Sequence, residues 1–163
     1  MVGRIPFYGV FSDLDHILAK TIDYECQFTS DMQWRKNTLS AMKPLNDSYG
    51  TSWAFGEQMA NQIFEPAGWP YFKLYDMTHL PEGVIPDASP CSYYTVTDIW
   101  SRGKYGVMVY STHGSEMGAS EVIKVSLLRN INDRYPSMGF AASCWTAKPE
   151  TRRNLSYSML ING

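Results

Sequence analysis

Between Tyr93 and Trp145 the residue pattern restricts the backbone more than anywhere else in the chain. Tyr93–Trp100 (YYTVTDIW) is aromatic and β-branched, and Tyr105–Ser111 (YGVMVYS) is a hydrophobic run. Glu121–Leu128 (EVIKVSLL) alternates, with Ile123, Val125 and Leu127 on one face and Lys124 and Ser126 on the other. Arg134–Trp145 places Met138, Phe140, Ala142 and Cys144 at period two. The breaks at Ser101–Lys104, His113–Ser120 and Asn130–Asp133 carry glycine or polar turn residues. Alternation with such breaks predicts four consecutive strands of an antiparallel meander.

The flanking segments complete the expected architecture. Residues 1–10 contain Gly3, Pro6 and Gly9 and read as an irregular lead-in. A helix is predicted from Ser12, with Asp13 and Asp15 near its positive end, to Lys43, before Pro44. Steps of three and four from Phe11 reach Leu14, Leu18, Thr21, Glu25, Phe28, Met32, Arg35, Leu39 and Met42, and seven of these ten positions are apolar. Such a stripe suits a coiled coil that joins copies of the chain, for instance as a trimer. It equally suits an amphipathic helix, or one arm of a helical hairpin, packed on its own domain. A second helix is predicted over Ser52–Phe64, weakened by Gly56. Pro66, Gly68 and Pro70 then mark a boundary. Tyr71–Met77 reads as a strand, Leu80–Pro90 as a proline-rich loop, and Leu155–Ile161 as a closing strand. The expectation is an α+β chain: a helical, oligomerising region over residues 1–65 and an antiparallel β-rich head over residues 66–163.

Composition narrows the function classes. A net charge of -2 provides no electrostatic case for nucleic acid. No run approaches the roughly 20 apolar residues of a membrane span, and the first ten residues do not read as a signal peptide. Charged residues are sparse at 18%, while 11 Tyr and 5 Trp are many, which suits surfaces that bury against protein or stack on sugars. Cys26, Cys91 and Cys144 are odd in number and lack CxxC spacing, so neither a disulfide framework nor a structural zinc site is expected. They read as small buried hydrophobes in a chain made in a reducing compartment.

Signals for chemistry are few. Gly50-Thr51-Ser52-Trp53-Ala54-Phe55 resembles the nucleophile segment of papain-like cysteine proteases, in which a Cys precedes Trp-Ala-Phe at a helix start. Here Ser52 holds that position, Asn46 stands where the family's oxyanion Gln is expected, and the base would be His79 or His113. His16 has no histidine at i+4, and no histidine pair has metal-ligand spacing, so no metal or other cofactor is expected. Asp76, Glu82, Asp87, Asp98 and Glu116 are candidates for a glycosidase-type carboxylate pair. No dinucleotide, P-loop or GxSxG motif is present. On this reading there is no catalytic residue.

A longer resemblance decides the functional expectation. The segments Asp76–Gly83, Tyr93-Tyr94-Thr95-Val96, Tyr105-Gly106-Val107-Met108-Val109 and Val122–Val125, with Trp145 closing, are similar in layout to knob domains of phage tail fibres and pyocins. The resemblance implies a non-enzymatic structural or attachment protein of a virion, made in the host cytoplasm. It would act as a homo-oligomer, touching other virion proteins and a host surface glycan or protein. The seam would be Phe11, Leu14, Leu18, Phe28, Met32, Leu39 and Met42. The alternatives are a carbohydrate- or small-ligand-binding β module, stacking its ligand on Tyr93, Tyr94, Trp100 and Tyr105, and a degenerate papain-like hydrolase.

Overall fold

The computed structural model describes residues 5–27, 31–44, 52–77, 80–131 and 134–162. In chain order it contains α1 (Phe11–Cys26), β1 (Thr38–Met42), α2 (Ser52–Met59), β2 (Tyr71–Tyr75), α3 (Tyr93–Arg102) and β3 (Val107–Ser111). Then come three two-residue strands, β4 (Gly114–Ser115), β5 (Gly118–Ala119) and β6 (Ile123–Lys124), followed by β7 (Met138–Ala142) and α4 (Leu155–Asn162). A π-helical turn, Ala60–Phe64, extends α2, and 3-10 turns lie at Gln33–Lys36 and Val125–Asn130.

The main sheet has four strands in the order β2-β1-β3-β7, every neighbouring pair parallel. A central parallel strand joined by crossovers is covered on both faces, so its side chains are buried on both, whereas the edge strand β7 is exposed along its length. β1 (TLSAM) shows this directly, because all five of its residues are buried. Leu39 and Ala41 of β1, Leu74 of β2 and Met108 and Tyr110 of β3 enter one core cluster with Val96 and Trp100 of α3 and Leu155 of α4. Met42, Tyr75 and Val109 enter a second cluster with Ala60 and Phe64. On that side Gly56 allows close approach: a Cβ there would stand 2.9 Å from Met42 Cγ and 2.5 Å from the Tyr75 hydroxyl. The glycine that weakens α2 as an isolated helix is thus what seats it on the sheet.

The expected α+β architecture with an antiparallel head is therefore replaced by an α/β fold with a mainly parallel sheet. YYTVTDIW is a helix, not a strand. Its buried residues Val96, Thr97 and Trp100 fall on one helical face, and Ser92 caps it by accepting a hydrogen bond from Thr95 N at 3.2 Å. Leu155–Asn162 is likewise helical, with Asn154 Oδ1 accepting from Tyr157 N at 2.8 Å. Glu121–Leu128 forms β6 and then a 3-10 turn, so its alternation does not persist. Antiparallel pairing is confined, among the described residues, to the small sheet β4-β5-β6.

The oligomerisation seam does not form. α1 stops at Cys26, and Leu39 and Met42 are buried in β1. Met32 is half-buried just before a 3-10 turn, and Phe28 lies outside the described residues. Phe11 and Leu18 are exposed and Leu14 is half-buried, while Ile17 is the buried residue of α1. The three-four spacing crosses a real helix, a turn and a strand, and no continuous stripe results. The physical reason is that Thr38–Met42 is short and built of Leu39, Ala41 and Met42 with small Thr38 and Ser40, which suits a strand covered on both faces.

Two stability outcomes follow. Leu39→Ala should cost about 2–5 kcal/mol by opening a cavity, whereas Leu18→Ala on the exposed side of α1 should cost less than about 1 kcal/mol; urea melts of the two variants compare them. The pH dependence is also set. Burial pushes the Cys91 thiol from 9.0 up to about 12 and the Tyr110 hydroxyl from 10.0 up to about 12. Both folded values are raised, so their contribution is fully present below pH 9 and is lost as pH rises toward 12. Urea midpoints should fall steadily across that window.

Candidate active site

In a parallel sheet all strands end on the same edge, and ligand sites gather there, where successive crossovers leave in opposite directions. Here that point lies between β1, whose chain continues to β2, and β3, whose chain continues to β7. Beyond the strand ends stand Lys43 after β1, Asp76 after β2, His113 after β3 and Cys144 after β7. Lys43 N donates to the Ser111 carbonyl at 3.1 Å, which ties the two central strands together at this edge.

His113 and Cys144 occupy matching positions. Ser111 of β3 pairs with Ala142 of β7, and each candidate lies two residues past that pair. The backbone between them is tight: a side chain at Gly114 would collide with the Cys144 carbonyl and Ser143 Oγ, and would come within 3.0 Å of Cys144 N. Only glycine admits this approach. Both His113 and Cys144 are exposed.

The supporting loops are anchored from several sides. Ser120 N donates to the His113 carbonyl at 2.7 Å, and the Thr112 hydroxyl donates to the Ser120 carbonyl at 3.0 Å. The hairpin β4–β5 therefore holds the histidine at its base. Leu155 N donates to the Glu116 carbonyl at 2.7 Å, and Ser156 N to the Thr146 carbonyl at 2.9 Å, so the start of α4 fastens both the hairpin and the loop after Cys144. Trp145 has φ 64, a left-handed conformation uncommon for a bulky residue, directly after the cysteine. Ser143 Oγ is buried without a hydrogen-bond partner among the described atoms.

Charges flank the pair. Lys43 Nζ lies 2.5 Å from Asp76 Oδ2 and 2.7 Å from Glu121 Oε2. Burial pulls the Lys43 pKa down, but the hydrogen bonds and charges of Asp76 and Glu121 outweigh it, and the net shift is upward. Lys148 Nζ lies 2.5 Å from Glu116 Oε1, and that hydrogen bond lowers the glutamate and raises the lysine.

The residues proposed from sequence are distributed otherwise. Tyr93 and Tyr94 share the Lys124 ammonium, 5.0 and 6.0 Å from their ring centroids. Trp100 is buried and donates from Nε1 to Ser137 Oγ at 2.9 Å, and Tyr105 packs edge-on against Phe72. Ser52 is buried at the start of α2 with its hydroxyl unpartnered, and Asn46 and His79 lie outside the described residues. Four of the five carboxylates considered for a glycosidase dyad have other partners. Asp76 and Glu116 face lysines, Asp98 meets Arg102 at 2.6 Å, and Asp87 accepts from Lys73 N at 2.7 Å. Of the cysteines, Cys91 is buried as expected, but Cys26 and Cys144 are exposed. Sequence reasoning missed the placement of His113 and Cys144 at equal distances beyond neighbouring strand ends. The signal available was a His-Gly and a Cys, each just beyond a hydrophobic strand.

An open α/β sheet carrying an exposed histidine and an exposed cysteine on its carboxyl edge is the class of protein that fold and site define. A sequence profile of peptidase family C25 matches residues 1–163, and the chain belongs to that family. Two solved structures share the fold. One is the Arg-specific cysteine proteinase gingipain R (RgpB), with TM-score 0.70 and 18% identity over 95% of this chain and 34% of that one. The other is the complex of Porphyromonas gingivalis RgpB pro- and mature domains, with TM-score 0.68 and 16% identity over 95% of this chain and 35% of that one. The chain thus spans about a third of the length of these structural relatives. No curated protein sequence matches it.

These findings overturn the functional expectation. The tail-fibre and pyocin resemblance rested on strand layout, but Tyr93–Val96 is helical and Val122–Val125 contributes only the two-residue β6 of the small sheet. The comparisons point to a peptidase family and not to a phage particle, so the non-enzymatic, virion-located, homo-oligomeric attachment protein is withdrawn. The hydrolase alternative fits better, and Ser52, the position its papain-like form singled out, is buried.

Exposure predicts thiol reactivity. Iodoacetamide should alkylate Cys26 and Cys144 in the native protein, and Cys91 only after denaturation, as read by peptide mapping.

Proposed function

We propose that this domain is a cysteine peptidase with Cys144 as nucleophile and His113 as general base and acid. The observation that carries the reading is the placement of the two residues beyond paired neighbouring strands, with Gly114 pressed against the Cys144 backbone and Ser143 Oγ. Membership of peptidase family C25 and a fold shared with a cysteine proteinase support it.

The chemistry follows from the residue types. A thiol is a weak nucleophile until it loses its proton, and an adjacent imidazole accepts that proton. The Cys144 sulfur attacks the carbonyl carbon of a peptide bond. As the C–N bond breaks, His113 returns the proton to the departing amine. The resulting thioester is hydrolysed by water, which gives a proton to His113 as it attacks, and the thiol is restored. The carboxyl edge suits this work because its loops are open to a polypeptide while the strands hold the two side chains in register.

Cys144→Ala and His113→Ala should each lower hydrolysis of a fluorescently labelled, denatured protein by roughly a thousandfold or more. Cys26→Ala should leave the rate unchanged. Activity retained in Cys144→Ala would sink the assignment, and circular dichroism of each variant separates lost chemistry from lost fold.

A further inference from the structure

The backbone of His113 is bracketed by one residue of the small sheet. Ser120 donates from its N–H to the His113 carbonyl at 2.7 Å, and its carbonyl accepts from the Thr112 hydroxyl at 3.0 Å. The next residue, Glu121, lies in the turn between β5 and β6 with φ 56, a left-handed conformation uncommon for a glutamate. Such a conformation persists where the surroundings over-determine it. The Glu121 carboxylate reaches Lys43 Nζ at 2.7 Å, so the turn is tied to the end of β1.

Lys43 is well placed to be the fixed end of that tie. Its N–H donates to the Ser111 carbonyl, which sets its main chain at the junction of β1 and β3, and its ammonium lies 2.5 Å from Asp76 Oδ2. The two carboxylates differ in exposure: the Asp76 side chain is 11% exposed and that of Glu121 52%. Asp76 therefore anchors the ammonium, while Glu121 is the partner for which water competes. Two carboxylates share one ammonium, so without Lys43 they would repel each other, and the exposed Glu121 would swing away. Ser120 would move with it. Because Gly114 is packed against the Cys144 carbonyl, a shift of the His113–Gly114 backbone changes the separation of the reactive pair.

Resting on the cysteine-peptidase reading, we infer that Lys43 is a positioning residue for the reaction: anchored by Asp76, it holds Glu121 and, through Ser120, sets the backbone of His113 against Cys144.

Four variants test this, with kcat and KM read on the labelled denatured protein and backbone motion read by hydrogen–deuterium exchange. Lys43→Met and Glu121→Asn should each lower kcat roughly tenfold to a hundredfold, the scale of a small misplacement of reacting groups, with little change in KM. Asparagine accepts the left-handed backbone, so Glu121→Asn removes the tie and spares the turn. Both variants should speed exchange over residues 113–121 and leave residues 38–42 protected. Lys43→Arg, which keeps the cation, should recover most of kcat. Glu57→Gln, which breaks the Lys73–Glu57 ion pair away from this edge, should leave kcat unchanged. If Lys43→Met fails to fold, Glu121→Asn decides alone. Parental kcat in Glu121→Asn, a loss of kcat with unaltered exchange over residues 113–121, or an equal loss in Glu57→Gln would overturn the inference while leaving Cys144 as the nucleophile. Hydrolysis by Cys144→Ala at the parental rate would instead defeat the cysteine-peptidase reading, and the inference with it.

Discussion

The parallel pairing of β1 with both β2 and β3 is the constraint on which the rest of this structure depends. Parallel neighbours need long return connections, and those connections place α2 and α3 between successive strands. Cover on both faces then makes Thr38–Met42 wholly buried. The same geometry sends every strand out at one edge, so residues far apart in sequence, Lys43, Asp76, His113 and Cys144, arrive on a common rim. The strands do not need to carry chemistry themselves. They need only to end together, and the loops supply the reactive groups.

Some of this was legible in the residues. Tyr71–Tyr75, Val107–Ser111 and Met138–Ala142 lie within segments read as strands, and Ser52–Phe64 was read as helical. What misled was the treatment of alternation as decisive. In YYTVTDIW the positions Tyr93, Val96, Thr97 and Trp100 also fit a helical face, and Ser92 supplies the cap that decides between the periods. Asn154 does the same for Leu155–Asn162. In the other direction, Thr38–Met42 is only five residues long and buries even its polar Thr38 and Ser40, so a heptad count runs straight through it. A fully buried parallel strand has no solvent face to announce itself.

The candidate site was less legible than the fold, and for a different reason. His113 and Cys144 share no local motif and are joined only by the register of β3 with β7. Once strand order is known, two residues lying equally far beyond paired strand ends become neighbours by construction. Without it, His113 is a histidine in a glycine-containing loop and Cys144 a cysteine near the end of an alternating run. Gly114 is the local trace of their proximity, since its missing side chain is what the Cys144 backbone requires.

The strand order also has a consequence in time. Thr38 is made early but pairs with Tyr71 and with Val107, and Val107 in turn pairs with Met138. Every ladder of the main sheet is non-local, so loop closure opposes each pairing until the later strand exists, which makes assembly slow compared with local structure. Among the described residues β7 follows the other strands of the main sheet and lies at its edge, and Cys144 travels with it. A partly synthesised or partly folded chain can therefore hold His113 in place while lacking a positioned thiol. Docking of β7 and completion of the reactive pair are therefore one event, because the thiol reaches the rim only with that strand.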